Sequence, residues 1–474
     1  MHQQKYKIER ISHWDRIAKE RTHNIFNSSY HHRLVEVYRN LIPPGSKILE
    51  IGCGNGDLLA SLSSSRGVGL DFSSRHIQLA KSKYPQLLFL GVDVQDISSI
   101  LNVEPFDFII MSDLINDLWD IQETLLNITP YCNQRTRIIL NFYSRLWQPI
   151  LTSAQRLKLA NRTLQQNWIT REDLTNLLHL AGIEVIKKWV EVLLPLPIPI
   201  FTSIFNRILV KIWPFTLLAL SNFMVARPMH VPGERKYTVS VIVPARNEAG
   251  NIENILKSIP DMGAGTEIVF VEGNSTDNTY QIIDELLPKF PQRKTSLYIQ
   301  EGKGKGDAVR KGFSKASGDI LMVLDADLTV PPTDLPRFYD ALTSNKGEFI
   351  NGVRLVYPME NEAMRFINIL GNKFFSFAFS YLLSQPIKDT LCGTKALFKC
   401  DYELIAANRS YFGNFDPFGD YDLLFGAARL NLKIIDMPIR YGERTYGSTN
   451  IQRWRHGWLL LKMVVYAAKR IKFV

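Results

Sequence analysis

Apolar residues follow two rhythms along this chain. Ser46–Ile51, Gly67–Leu70, Leu87–Val92, Phe106–Met111 and Arg137–Phe142 are short apolar runs. Between them lie helical patterns such as Asp57–Ser63 and Arg75–Lys83. Strands alternating with helices predict a parallel sheet covered on both faces. Residues 167–186 (NWITREDLTNLLHLAGIEVI) read as helix, glycine and strand, which ends a first domain near Val190.

The second half restarts the rhythm with Tyr237–Val243, Glu267–Val271 and Ile320–Leu324, the last two each followed by an acidic residue. The motifs at the strand ends differ between the halves, so this is not an internal repeat. Between the halves, Pro195, Pro197 and Pro199 exclude a helix and favour extended chain. Apolar positions from Ile200 to Trp213 then recur at helical spacing, which predicts an amphipathic helix. Such a helix either packs on a neighbouring domain or lies on a membrane surface. The expected division is residues 1–190, a linker over 191–235, and residues 236–474.

Composition narrows the class. The chain has 474 residues, 46% hydrophobic and 22% charged, enough for two packed cores. A net charge of +10 favours anionic partners: nucleic acid, acidic lipid or phosphorylated ligands. The basic residues lack the aromatic interleaving of a base-stacking surface, so nucleic acid is not expected. Cys53, Cys132, Cys392 and Cys400 are scattered, which argues against a thiolate zinc site and fits a reducing, cytoplasmic location. The polar N-terminus does not read as a secretory signal, and no apolar run is long enough to predict a bilayer-spanning helix.

Chemistry appears first at residues 48–57, ILEIGCGNGD. A strand runs into Gly52, Gly54 and Gly56, where backbone can pass close to a ligand. The strand GVGL ends at Asp71, whose carboxylate can accept from both hydroxyls of a ribose. FLGVDVQDI carries Asp93, and FDFIIMSDL follows. The pattern E-x-G-x-G-x-G with these acids resembles class I S-adenosylmethionine-dependent methyltransferases, over about Leu41 to Val190. The resemblance implies a Rossmann-like fold with S-adenosyl-L-methionine as cofactor. It implies that Glu50 orients the loop or the methionine ammonium, that Gly52, Gly54 and Gly56 form the loop, and that Asp93 meets the adenine amino group. Asp113, Asn116 and Tyr143 stand at strand ends beside this site, but the residues leave the methyl acceptor open.

In the second half four segments occur in order: VSVIVPARNE (239–248), EIVFVEGNSTDNT (267–279), EGKGKGDAVRKGF (301–313) and SGDILMVLDADLTVPP (317–332). Asp325 and Asp327, two residues apart at a strand end, can share one hard cation, Mg²⁺ or Mn²⁺. Lys303, Lys305 and Arg310 can meet phosphate charge. Together the segments resemble family 2 glycosyltransferases of the GT-A fold, most closely the dolichyl-phosphate-mannose-synthase-like branch, over about Tyr237 to Arg453. The resemblance implies inverting transfer from a nucleotide-sugar donor. Pro244, Arg246, Glu248 and Glu272 would border the nucleoside, and Asp325 and Asp327 would hold metal and diphosphate. Gly273 and Asn274 depart from the family's D-D-G-S-T-D, which leaves the base preference open.

Two acceptors remain. A polyprenyl phosphate is already a nucleophile, and Arg354, Arg365, Arg444 and Ser448 would hold its phosphate. A glycan or protein hydroxyl needs a carboxylate base, for which Asp420 and Asp422 are the candidates. Apolar stretches at Ala363–Ser384 and Gly457–Ala468, the second ending in Lys469, Arg470 and Lys472, favour the lipid and peripheral docking on the cytosolic face of a membrane. The expected whole is a methyltransferase fused to a glycosyltransferase. The alternative keeps the transferase and makes the first domain a non-catalytic cofactor-binding module.

Overall fold

A computed structural model describes residues 2–19, 25–99, 104–157, 164–229, 233, 235–357, 366–409, 419–444, 446 and 453–474. Arg365 and Ser448 lie outside the described residues, as does the side chain of Asp420. The chain divides into two compact units, residues 1–230 with 473–474, and residues 231–472.

The first unit holds β1 (Lys47–Ile51), β2 (Arg66–Asp71), β3 (Leu88–Gly91), β4 (Phe108–Ser112), β5 (Arg137–Tyr143), β6 (Ile183–Glu191) and β7 (Ser221–Pro228). Their order is β3-β2-β1-β4-β5-β7-β6. The first five strands are parallel, as the alternating pattern predicts. Successive residues of one strand enter opposite cores: Leu49 and Ile51 on one face, Ile48 on the other. Both faces are therefore buried, and the strands read as unbroken apolar runs.

The expected end of this domain at Val190 falls short. β7 lies between β5 and β6 and runs antiparallel to both, so the sheet is mixed. Residues 221–228 are fully buried and complete the sheet rather than connecting domains. The expected amphipathic helix is also shorter. A helix spans Phe201–Arg207, after which the chain turns through Leu209–Lys211 and Phe215–Leu218. Lys211 is buried against Glu191, and this pairing pulls the chain back onto β6. Helical spacing recorded one amphipathic segment but not the tertiary contact that bends it.

The second unit holds β8 (Val239–Ala245), β9 (Thr266–Glu272), β10 (Lys294–Ile299), β11 (Ile320–Val323), β12 (Phe349–Val353), β13 (Lys395–Phe398) and β14 (Ile434–Pro438), in the order β10-β9-β8-β11-β13-β12-β14. β13 is antiparallel to β11 and β12. Val241 and Val243 face one core and Ile242 the other, again covering both faces. In both units the strand order reverses at a central strand, where α/β sheets open a crevice at their carboxyl ends.

Candidate functional sites

In the first unit a cleft opens at the carboxyl ends of β1, β2 and β4. Ile51, Gly52, Leu70, Asp71, Asp93 and Leu114 line it. Gly52 has φ of +72°, and a Cβ there would press on the Leu114 side chain. Asp71 shapes the loop: its carboxylate accepts from the backbone N–H groups of Gly54 at 2.9 Å and Ser73 at 2.8 Å. Burial pushes Asp71 upward in pKa, against those two bonds. Asp93 is paired at 2.9 Å with Lys7 of the helix His2–Lys19, whose Tyr6 and Arg10 also line the cleft. That helix carries no recognisable motif, so residue reading missed its part in the site. Apolar walls with two acids fit the adenosyl part of S-adenosylmethionine, its hydroxyls donating to carboxylate.

Glu50 and Gly56 serve the loop rather than the cleft. Gly56 packs beneath Phe89, and a Cβ would lie 2.5 Å from the ring. Glu50 is buried and accepts from the Leu59 N–H at 3.1 Å. It thereby serves the first turn of the helix Asp57–Ser61, whose N-cap Gly56 has no side chain to offer. Burial outweighs this bond and pushes Glu50 up to about 8. The folded protein therefore keeps a proton that the unfolded chain releases from about pH 4.5 upward, so stability from this group is full below that pH and is lost as pH rises toward 8. Glu50→Gln keeps an acceptor and removes the titration. The N-terminal unit of this variant is expected to melt roughly 3–6 °C above wild type near pH 8, equivalent to ~1.5 kcal/mol, and no higher at acidic pH. Superimposable calorimetric traces at the alkaline end would refute it.

A second polar group closes the same sheet end. Asp113 accepts from Tyr30 Oη at 2.8 Å and Asn141 Nδ2 at 2.5 Å. Burial pushes its carboxyl up to about 7 against these bonds, although one side of it reaches solvent. Asn116, by contrast, is structural: its side chain donates to the carbonyl of Asn167 and accepts from the N–H of Tyr143.

In the second unit Asp325 and Asp327 stand just beyond β11. Lys305, first residue of the helix Lys305–Lys315, places Nζ 2.5 Å from Asp325 Oδ1. Gly393 lets this pair form, because a Cβ there would overlap both Lys305 Nζ and Asp325 Oδ2. Burial opposes ionisation of Asp325, but Lys305, Lys395 and Arg354 outweigh it and hold the carboxyl below its ordinary range. Asp327 accepts from Thr329 Oγ1 at 2.8 Å and from Arg444 at 2.8 Å. Arg444 also pairs with Glu248 at 3.1 Å, joining the end of β8 to the end of β11. Burial pushes Glu248 up to about 7 despite that arginine. Glu272, ending β9, accepts from the Ser275 N–H at 2.5 Å. Pro244, the penultimate residue of β8, is half-buried, and Arg246 just beyond the strand is exposed.

The donor set is oxygen throughout, which suits Mg²⁺ or Mn²⁺. Among the described residues no three His, Cys, Asp or Glu side chains form a cage, so a cation on Asp325 and Asp327 would take its other ligands from diphosphate and water. Lys305 and Arg444 supply the positive charge that these acids face in this structure.

Three of the expected acceptor residues have partners within the protein. Arg354 does not reach into open space for a phosphate: its Nε and Nη2 donate to buried Asp389 at 2.7 and 2.9 Å. Asp422 is held by Arg409 at 2.7 Å with little exposure. Arg444 pairs with Asp327 at 2.8 Å. Spacing along the chain contained no sign of these partners, which lie 35, 13 and 117 residues away.

The family model for glycosyl transferase family 2 matches residues 240–403, and a methyltransferase domain model matches residues 42–182. Dolichol-phosphate mannosyltransferase of Pyrococcus furiosus is 30% identical over 246 residues, covering 50% of this chain and 67% of that protein. Glycosyltransferase AglJ of Haloferax volcanii is 27% identical over 233 residues, covering 49% of this chain and 72% of that protein. An undecaprenyl-phosphate 4-deoxy-4-formamido-L-arabinose transferase of Edwardsiella ictaluri is 33% identical over 107 residues, covering 22% of this chain and 33% of that protein.

Proposed function

The chain belongs to glycosyl transferase family 2 and carries a methyltransferase domain ahead of it, and we propose that it is a bifunctional enzyme whose C-terminal unit moves a sugar from a nucleotide diphosphate to a polyprenyl phosphate, while its N-terminal unit transfers methyl from S-adenosylmethionine. The observation that carries the first activity is the meeting of Asp325, Asp327, Lys305 and Arg444 at the end of β11. These residues bind and orient a diphosphate: the lysine and arginine meet its oxygens, and the acids hold a divalent cation that neutralises the leaving group. A phosphate acceptor needs no base, which agrees with Asp422 being held by Arg409. Two relatives are named for lipid phosphates, dolichol and undecaprenyl, which supports the same acceptor class.

Lipid access fits the apolar surface of this unit. The helix Phe366–Leu383 exposes Leu370, Phe374 and Phe377, and the helix Arg453–Ala467 exposes Trp458, Leu461 and Val465. Exposed Lys462, Lys469 and Arg470 flank them. Among the described residues no helix is long and apolar enough to cross a membrane. An apolar face with basic flanks docks in the interface of an anionic bilayer, here the cytosolic face. Phe377→Ser with Trp458→Ser is expected to lower co-sedimentation with phosphatidylglycerol vesicles by about tenfold and leave hydrolysis of a soluble donor unchanged. Undiminished sedimentation would move the docking surface elsewhere.

The test of function is a panel of UDP- and GDP-sugars with Mg²⁺ or Mn²⁺, with and without a short-chain polyprenyl phosphate. Metal-dependent sugar transfer to the lipid supports the proposal. Donor cleavage without lipid product shifts the acceptor to a hydroxyl. For the N-terminal unit, calorimetric binding of S-adenosylhomocysteine and label transfer from S-adenosylmethionine separate an enzyme from a binding module.

A further inference from the structure

β4 and β5 end side by side in the first unit, and a polar cluster meets there apart from the residues assigned to the cofactor. Asp113 follows β4 with φ of +55°, a left-handed conformation that a residue with a side chain holds at a cost. Its backbone N–H donates to the Asn141 carbonyl at 3.1 Å. Its Oδ1 takes both side-chain donors, Tyr30 and Asn141. Tyr30 Oη is also 2.8 Å from Ser221 Oγ, and Asn141 accepts from Tyr38 at 2.7 Å. The carboxylate is thus aimed by four elements, is partly open to solvent, and precedes Leu114, which lines the cofactor cleft.

The same end of the sheet carries an apolar surface. Ser221 begins β7 opposite Tyr143 at the end of β5, so the residues just before it emerge beside the cluster. Leu217 and Leu218 in this approach are exposed, and upstream of them Trp213 is 76% exposed. Trp147 Nε1 donates to the Leu218 carbonyl at 2.8 Å, which joins the helix Gln148–Arg156, with exposed Ile150, to this surface. The two stretches that build this surface are themselves free of acids. The sequence has no Asp or Glu between Glu123 and Glu172, nor between Glu191 and Glu234, while Arg145 and Arg156 are exposed within these stretches. An apolar surface with exposed arginines beside it is complementary to an anionic amphiphile.

We propose that the Asp113 cluster is the methyl-acceptor site, that the acceptor is a hydroxyl borne by an anionic, lipid-linked molecule lying on the surface of Trp213, Leu217, Leu218 and Ile150, and that Asp113 accepts the hydroxyl proton. This rests on the reading of the N-terminal unit as an active methyltransferase. The hydroxyl oxygen forms a bond to the methyl carbon, the methyl–sulfur bond breaks and leaves its electron pair on sulfur, and the hydroxyl proton passes to Asp113. No further reactant is required. The hydrocarbon chain remains in the bilayer interface while its polar end reaches the carboxylate.

The test uses the full chain. Methyl transfer from labelled S-adenosylmethionine is measured to mannosyl-phosphopolyprenol in phosphatidylglycerol vesicles and, at equal concentration, to mannose 1-phosphate in solution. Methylation of the vesicle-borne probe is expected to exceed that of the soluble one by at least about tenfold. Asp113→Asn is expected to lower it by about 10²-fold while its calorimetric affinity for S-adenosylhomocysteine stays within about twofold of wild type. Quenching of tryptophan fluorescence by brominated lipid is expected to lose a component in Trp213→Phe. Equal methylation of both probes, or of neither while S-adenosylhomocysteine binds, overturns the substrate class. Unchanged quenching in Trp213→Phe overturns the docking surface, and a fully active Asp113→Asn overturns the proton acceptor. A wild-type chain that does not bind S-adenosylhomocysteine sinks the methyltransferase reading itself, and the proposal with it.

Discussion

Replacing Asp327 with alanine is expected to lower metal-dependent sugar transfer by at least about 10³-fold while the C-terminal unit stays folded. The side chain is largely buried, only 15% exposed, yet it belongs to neither hydrophobic core. Its partners are Thr329, which retains its place on the loop, and Arg444, which keeps Glu248. Losing it therefore removes no packing, and the melting temperature should move by less than about 3 °C. The chemistry suffers more. Departure of a nucleoside diphosphate concentrates negative charge at one point, and a strand-end carboxylate pair is what retains a compensating cation there. Asp327→Asn tests charge at constant shape and should be nearly as damaged. Mn²⁺ binding in the presence of nucleoside diphosphate, followed by electron paramagnetic resonance, should weaken in parallel. Transfer within tenfold of wild type in either variant would show that Asp327 holds neither metal nor diphosphate.

The largest expected effect on stability lies at Asp389. This carboxylate is fully buried and accepts from Arg354 Nε at 2.7 Å, Arg354 Nη2 at 2.9 Å, Asn372 Nδ2 at 2.8 Å and the Leu391 N–H at 3.0 Å. Arg354 follows β12, and Asn372 belongs to the apolar helix Phe366–Leu383, so one side chain ties a sheet strand to that helix. Asp389→Ala leaves a buried guanidinium without its counter-charge. Breaking such a pair costs about 3–5 kcal/mol, or roughly 8–15 °C in the melting temperature of the unit. Burial raises the Asp389 pKa, but Arg354 and Asn372 outweigh it and hold it below the ordinary range. A depressed folded-state pKa means that this stabilisation is complete above about pH 4 and disappears on acidification through the lower, folded value. The gap between wild type and Asp389→Ala should therefore narrow as pH falls below about 4. A gap under about 1 kcal/mol at neutral pH would show that the pair does not hold this region together. Arg354→Lys should recover only part of the loss, because an ammonium cannot reproduce the two-pronged bond.

The sequence by itself determined a good deal. The β1–β5 and β8, β9 and β11 segments were legible because strands buried on both faces are apolar at every position, and helices between them keep a helical period. The glycine loop after β1 and the acids ending β2 and β11 were legible for a related reason. A ligand at the carboxyl end of a sheet is met by residues at fixed offsets from apolar runs, and such offsets are local.

Other features exist only once distant segments meet. Residues 221–228 became an antiparallel strand within the first sheet because β5 and β6 left a gap that this apolar run filled, a decision made by pairing partners rather than by propensity. Arg354 and Arg444 look alike as basic residues beside loops, but one is a buried structural clamp and the other bridges Glu248 and Asp327. Asp422 reads as a base until Arg409 is seen against it. Charge type is written in the chain, whereas the choice of counter-charge depends on which groups are desolvated together. That choice belongs to the tertiary structure, since burial decides which ion pairs must form and which side chains remain available to a ligand.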